Sequence, residues 1–281
     1  MTIRNFSEDT LTAEVLKRLG GTPNARLKEV MESLVKHLHA FVREVRPTPD
    51  EWFTGIKFLT DTGHWCDDKR QEYILMSDTL GVSMLVDFIN YGKEKDATES
   101  TVLGPFYVEG APEMALGANI AKPGTPGEPC DVSGTVSGLD GKPVAGALLD
   151  VWEGGGDGFY DVQKDEGMNL RARFRADKDG GFHFRCVRPV SYPVPHDGPV
   201  GKMLAATGRH PMRPGHLHFM IQAPGYAKLV THLFVRGDEF LDSDAVFGVK
   251  DSLVIDFKKN GGGVYQAKYD FVLKPESGRR A

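Results

Sequence analysis

The chain has 281 residues, of which 40% are hydrophobic and 26% charged, an ordinary globular composition that argues against a disordered or coiled-coil chain. Lys and Arg number 34 against 39 Asp and Glu, so a net charge of −5 offers phosphates no positive field and speaks against a nucleic-acid binder. At roughly 150 residues per domain the length suits two domains, and 33 glycines with 17 prolines imply many tight turns.

The N-terminal MTIRNFSEDTLTAEVLKRL lacks the basic-then-apolar order of a signal peptide. No stretch approaches the ~18 apolar residues of a spanning helix, so no membrane partner is expected. Cys66, Cys130 and Cys186 are widely spaced and form no CxxC pair, which fits a reduced, cytoplasmic protein.

Residues 1–97 read as helical. Leu27, Val30, Met31, Leu34, Val35, Leu38, Phe41, Val42 and Val45 recur at three and four, which is one helix face. Pro47 and Pro49 end that helix, and Asp50 is placed to cap the next, which carries Trp52, Phe53, Ile56 and Leu59. A third helical run covers roughly 68–91 and is closed by Gly92 and the charged stretch Lys93–Asp96. His37 and His39 lie near the apolar face and read as surface or interface residues.

From about Thr98 the text changes. Short apolar runs such as CDVSGTVSG, GFHFRCV, GHLHFMIQA and AKLVTHLFV alternate with Gly and Pro, and Leu139-Asp140-Gly141-Lys142 looks like a hairpin turn. The fold class expected is mostly β with an α-helical N-terminal region, residues 98–281 forming an antiparallel β-sandwich core. The terminal PESGRRA reads as a loose tail.

The chemistry begins at Gly215-His216-Leu217-His218-Phe219. In a strand, His216 and His218 share one face and Leu217 takes the other. Two such imidazoles can reach one metal ion, and equally can be a pair of surface histidines. No carboxylate or thiolate stands beside them. Two tyrosines in turn-rich contexts do stand out: Tyr160 in DGFYD and Tyr192 in SYPVP. Each alone reads as a packed aromatic. Phenols, with a pKa near 10, suit a hard trivalent cation that depresses it, so two His with two Tyr point to ferric iron, not to the 2-His-1-carboxylate ferrous pattern.

The blocks TVLGPFY, GTVSGLDGKPVAGALLDVWEGGGDGFYDVQ, RPVSYPVPHDGPVG and RHPMRPGHLHF resemble, in order, those of the intradiol ring-cleavage dioxygenases, and the resemblance covers about 98–273. The helical N-terminal part is similar to the layout of the catechol and hydroxyquinol branch. The resemblance implies one Fe(3+) per subunit held by Tyr160, Tyr192, His216 and His218. Tyr192 would double as ligand and base, and Arg213 would stabilise charge on the substrate ring. A surface salt bridge is the plainer reading of Arg213. The resemblance also implies a small aromatic diol or triol and O2 as partners. It implies a homodimer through the N-terminal helices, in some members with a lipid bound between them.

The stretch EYILMSDTLGVSMLVDFIN and the run from 228 to 254 are similar to the hydroxyquinol-cleaving branch. That implies cleavage of benzene-1,2,4-triol to 3-hydroxy-cis,cis-muconate, equivalent to maleylacetate. Catechol cleavage to cis,cis-muconate is the alternative, and a non-enzymatic β-sandwich binding module is the reading from another class. Leu75 and Asp78 lie one helical turn apart, so Asp78 could meet a third ring hydroxyl or could be a helix-surface residue. Val102, Leu103, Gly104, Pro105 and Phe106 match the ring-lining loop of that branch, with Val194, Pro195 and Val246 as further candidate walls. His232 stands where catechol-cleaving relatives carry Gln, and it either assists a ring hydroxyl or is an ordinary strand histidine.

Overall fold

The computed structural model describes residues 4–68, 70–92, 96–164 and 167–276. Residues 93–95 of the charged stretch and 277–281 of PESGRRA lie outside the described residues. The chain divides into two compact units, Met1–Thr60 and Asp61–Ala281, so the division falls well before the composition change near residue 98.

In the first unit, α1 (Glu8–Arg18) packs against α2 (Ala25–Val45). Thr12 Oγ1 accepts a hydrogen bond from Arg43 Nη2 at 2.5 Å and pairs with His39 Nδ1 at 2.9 Å. Asn24 Oδ1 caps α2 by accepting from the Leu27 amide at 2.8 Å. The cap of α3 (Pro49–His64) is Thr48, not Asp50. Thr48 Oγ1 accepts from the Glu51 amide, and Glu51 Oε2 accepts from the Thr48 amide at 2.7 Å. Proline at the first helical position leaves that reciprocal cap to the residue before it, and Asp50 sits in the first turn instead.

The second unit takes in the last turn of α3, then α4 (Glu72–Thr79) and α5 (Val82–Tyr91). The single run expected over 68–91 is therefore two helices. Gly81 separates them at φ +74°, a left-handed conformation that ends one helix and starts the next.

Two five-stranded sheets follow. One joins β1 (Pro129–Gly138), β4 (Gly181–Val187), β10 (Lys258–Lys259), β11 (Tyr265–Lys268) and β12 (Phe271–Leu273). The other runs β3 (Arg171–Arg175), β2 (Leu148–Trp152), β7 (His216–Gln222), β8 (Leu229–Val235), β9 (Val254–Ile255). A two-stranded piece pairs β5 (Tyr192–Pro193) with β6 (Met212–Arg213), and α6 (Pro199–Ala206) lies between them in the chain.

The sheets are mixed, which corrects the antiparallel expectation. Neighbours such as β7 and β8 are joined by short turns that reverse the chain, and they pair antiparallel. β11 and β12 pair parallel with β1, and β9 pairs parallel with β8. These strands reach their partners through long connections, which a parallel pairing requires.

The sheets share one core. Val132, Val136, Phe182 and Phe184 of the first meet Leu149, Phe174, Leu217, Phe219 and Ile221 of the second. All three cysteines are free, and Cys130 faces Cys186 across β1 and β4. Among the described residues no helix is long and apolar enough to cross a membrane.

β1 gives its edge to β11 along residues 130–133 and to β12 along 136–138, and Gly134 sits at the changeover. A Cβ at Gly134 would stand 1.7 Å from the Tyr269 carbonyl oxygen. Gly134→Ala is expected to cost at least about 2 kcal/mol, because backbone must move to admit the methyl group. Thermal or urea unfolding of the variant measures it, and an unchanged melting point would contradict the close approach.

Candidate metal centre

β7 divides its side chains between two faces. Leu217, Phe219 and Ile221 enter the sandwich core, while His216, His218 and Met220 point the other way. On that second face a separate cluster gathers Phe106, Trp152, Tyr160, Tyr192 and Met220. Tyr160 leads into a short turn over Asp161–Gln163, and its amide donates to Gln163 Oε1 at 2.8 Å. Asp161 anchors that turn. Its carboxylate accepts from buried Arg171 Nε at 2.7 and 2.9 Å and from the Asn169 amide at 3.0 Å. Tyr192 is placed by the pairing of β5 with β6, which sets it directly opposite Arg213.

The four predicted donors converge. Tyr160 Oη lies 2.8 Å from His218 Nε2 and 3.2 Å from Tyr192 Oη, and the two histidine Nε2 atoms are 3.1 Å apart. Ligand atoms sharing one ion at about 2 Å stand about 3 Å from each other. None of the four residues is more than 4% exposed. The donor chemistry fits as well. Burial, then the Arg213 charge, pushes the His216 pKa down to about 3, and burial with His232 and His216 nearby holds His218 well below its ordinary value. Both imidazoles are thus neutral, the form that ligates. Burial raises both phenols, Tyr160 further because Tyr192 adds to it while Arg213 opposes the rise at Tyr192. Two phenols in so dry a place ionise only against a strong local cation.

His216, His218 and His232 also bring ring nitrogens within 4.8 Å of one another. The His216 and His232 rings stack at 22°, however, so their lone pairs run side by side and do not converge. Neither ring nitrogen of His232 has a hydrogen-bond partner among the described residues. Burial, then the nearby His216 and Arg213, holds its pKa well below the ordinary value.

Arg213 is 2% exposed, which excludes a surface salt bridge. Its Nε donates to Asp244 Oδ1 at 2.9 Å, and its Nη1 lies 3.2 Å from His216 Nε2 and 3.5 Å from Tyr192 Oη. Burial works against both charges of the Arg213–Asp244 pair, but it is outweighed for Arg213 by Asp244 with the two tyrosines, and for Asp244 by Arg213 with His216 and the Gly248 amide. Arg213 is held above its usual pKa and Asp244 below. A fixed cation therefore stands beside the donor cluster.

The predicted pocket residues divide into groups. Leu75, Val102, Val194 and Val246 meet in one buried cluster with Met84, Val200 and Leu204. Asp78 is 2% exposed, not a surface residue, and burial pushes its pKa up to about 6 against the Ser83 hydroxyl and the Arg213 charge. Leu103, Gly104, Pro105 and Phe106 line a cavity of about 560 Å³. Pro105 and Phe106 are shared with a second cavity of about 440 Å³, to which Leu75, Val194 and Pro195 contribute. Phe106 stacks on Tyr160 with ring centroids 4.3 Å apart, so it stands between the cavities and the donor cluster, none of whose four residues lines either cavity. Asp78, Val102, His232 and Val246 line neither cavity. Asp244 and Trp152 carry no signal in the sequence, because each acts through a partner far along the chain, and the Asp161–Arg171 anchor bridges ten residues with no regular spacing to mark it.

A family model described as "Dioxygenase" covers residues 102–275, and one described as "Catechol dioxygenase N terminus" covers residues 24–98. The chain is 55% identical to a 6-chlorohydroxyquinol 1,2-dioxygenase of Cupriavidus pinatubonensis, over 97% of this chain and 99% of that one. It is 52% identical to a hydroxyquinol 1,2-dioxygenase of Nocardioides simplex, over 95% and 96%. Among solved structures it resembles the hydroxyquinol 1,2-dioxygenase of Pseudomonas putida DLL-E4, with a TM-score of 0.87 and 49% identity over 96% of this chain and 99% of that one.

Asp78 makes stability depend on pH. Its pKa rises from 3.8 unfolded to about 6 folded, so its favourable contribution is complete below pH 3.8 and is lost as pH rises through 6. Asp78→Asn is expected to raise stability at pH 7.5 by up to about 3 kcal/mol, with the gain vanishing near pH 4. Urea unfolding at the two pH values measures this, and destabilisation at pH 7.5 would contradict it.

Proposed function

The chain belongs to the intradiol ring-cleavage dioxygenase family, and from that premise we propose that it opens benzene-1,2,4-triol between its two adjacent hydroxylated carbons. The product is 3-hydroxy-cis,cis-muconate, equivalent to maleylacetate. The observation that carries this reading is the convergence of Tyr160, Tyr192, His216 and His218 beside the buried Arg213 cation. Those four side chains would hold one ferric ion per subunit, and when bound it would supply Lewis acidity toward the substrate's hydroxyl groups.

The protein's own groups do the rest. Arg213 eases the ionisation of both phenols, but only Tyr192 also takes its hydrogen bond, at 3.5 Å, so Tyr192 takes a hydroxyl proton from the arriving substrate. Arg213, locked by Asp244, stabilises the negative charge that develops on the ring. Leu75, Val102, Val194 and Val246 keep water away from that charge. Phe106 presents its flat face beside Tyr160 and guides a planar substrate.

Asp78 favours the triol over catechol. Asp78 lines neither cavity and already takes the Ser83 hydroxyl, but it lies close enough to feel the Arg213 charge, so a triol seated against Arg213 brings toward it a third hydroxyl that catechol lacks. The high identities to hydroxyquinol-cleaving enzymes support the same choice. For assembly, the proposal is a homodimer through the N-terminal helices, with the second copy covering the apolar face of α2. On that face Leu27, Leu34, Leu38 and Phe41 are each 47–58% exposed. A lipid bound between the two copies fits the same face.

Oxygen uptake and product analysis on both substrates test the reading. The triol is expected to turn over faster, with both atoms of labelled dioxygen in the ring-opened product, and Asp78→Asn to narrow the preference about tenfold. Faster turnover of catechol by the parent protein would overturn the substrate choice. Light scattering should return twice the 30.9 kDa chain mass, and a monomer mass would contradict the dimer.

A further inference from the structure

The two histidines of β7 are fixed in different ways. His216 Nδ1 lies 2.7 Å from the Pro214 carbonyl oxygen, the kind of outer hydrogen bond that sets the tautomer and ring plane of a metal-ligating histidine. His218 Nδ1 is buried and has no hydrogen-bond partner among the described residues. Something else must hold that ring.

The register of three adjacent strands supplies it. Trp152 of β2 is the direct cross-strand partner of His218, and His218 is the direct partner of His232 on β8. Directly opposite side chains are the pairs that touch in a sheet. The Trp152 and His218 rings stack, centroids 4.6 Å apart and planes within 15°. His232 meets His218 edge-on from the other strand at 4.2 Å and 77°. The backbone at Gly104 closes a further side, where a Cβ would stand 3.4 Å from His218 Cε1. Trp152 is itself immobilised. It is 1% exposed and takes the edge of the Tyr107 ring at 5.0 Å, and Tyr107 Oη donates to Asp150 Oδ2 at 3.3 Å.

We propose that Trp152 is a positioning residue for His218, its stacked indole fixing the imidazole plane that no hydrogen bond fixes. The inference rests on the reading of His218 as an iron ligand. Turning the imidazole about its Cβ–Cγ bond would break the stack and swing Nε2 away from Tyr160 Oη. A flat face is what matters, so phenylalanine should replace tryptophan and methionine, which fills space without a plane, should not.

The test compares Trp152→Phe and Trp152→Met in the iron-loaded protein, and ring dynamics in the unsubstituted apoprotein. Trp152→Met is expected to lose iron to a chelator about 10–100-fold faster than the parent and to shift the visible absorption band. Trp152→Phe should stay within about threefold in iron loss, a margin well below that range. In the apoprotein, the His218 ring is expected to be as rigid by NMR relaxation as the hydrogen-bonded His216 ring. Equal behaviour of the two variants, or a His218 ring markedly more mobile than that of His216, would overturn the proposal. Should Trp152→Met fail to fold, the ring-dynamics result decides by itself. A parent protein that takes up no iron would defeat the iron reading, while the ring dynamics would still judge the stack.

Discussion

Alternate side chains of β7 point to opposite faces of its sheet, and this constraint ties the fold to the chemistry. Leu217, Phe219 and Ile221 belong to the core between the two sheets, so the register of β7 cannot slip by one residue without burying polar groups there. The same register fixes His216 and His218 on the outer face. There they meet tyrosines delivered by two segments with no regular structure of their own beyond a short turn and a two-residue strand. The apolar core therefore orients the imidazoles, and local anchors orient the phenols.

Those anchors are electrostatic. Asp161 and Arg171 form a buried pair just after Tyr160, and Arg213 and Asp244 form another beside Tyr192 and His216. Breaking a buried pair by removing one partner strands a charge in a dry place and is strongly destabilising. Each pair thus holds a loop in one position at the cost of desolvating two charges. The Arg213 pair does more than hold. Its cation sits 3.5 Å from Tyr192 Oη and 3.2 Å from His216 Nε2 and opposes the rise in both phenol pKa values, so one residue both shapes the site and sets its polarity.

Much of this was legible in the sequence, and the parts that were not share a cause. The HxH spacing gave the shared face of His216 and His218 because strand geometry is local. The apolar repeat from Leu27 to Val45 gave α2 for the same reason. The break at Gly81 was not legible, because the helical periodicity runs through it and only the backbone conformation ends the helix. The parallel pairing of β11 and β12 with β1 depends on where a distant segment returns. So does the Arg213–Asp244 pair, whose partners are separated by long-range chain path and not by spacing. Asp78 read as an even choice between pocket and surface until packing placed it among buried residues. Trp152 is buried, and one face of its ring belongs to His218.

Titration of the apoprotein with ferric iron tests the central claim, that two phenols and two imidazoles hold one ion, most directly. One equivalent per chain should saturate and produce a broad visible absorption from tyrosinate bound to ferric iron. Tyr160→Phe and Tyr192→Phe should each alter that absorption, while His232→Ala should leave iron stoichiometry unchanged. A colourless complex, or one whose spectrum survives both tyrosine substitutions and whose binding fails with His232→Ala, would contradict the account and assign the ion to the three histidines.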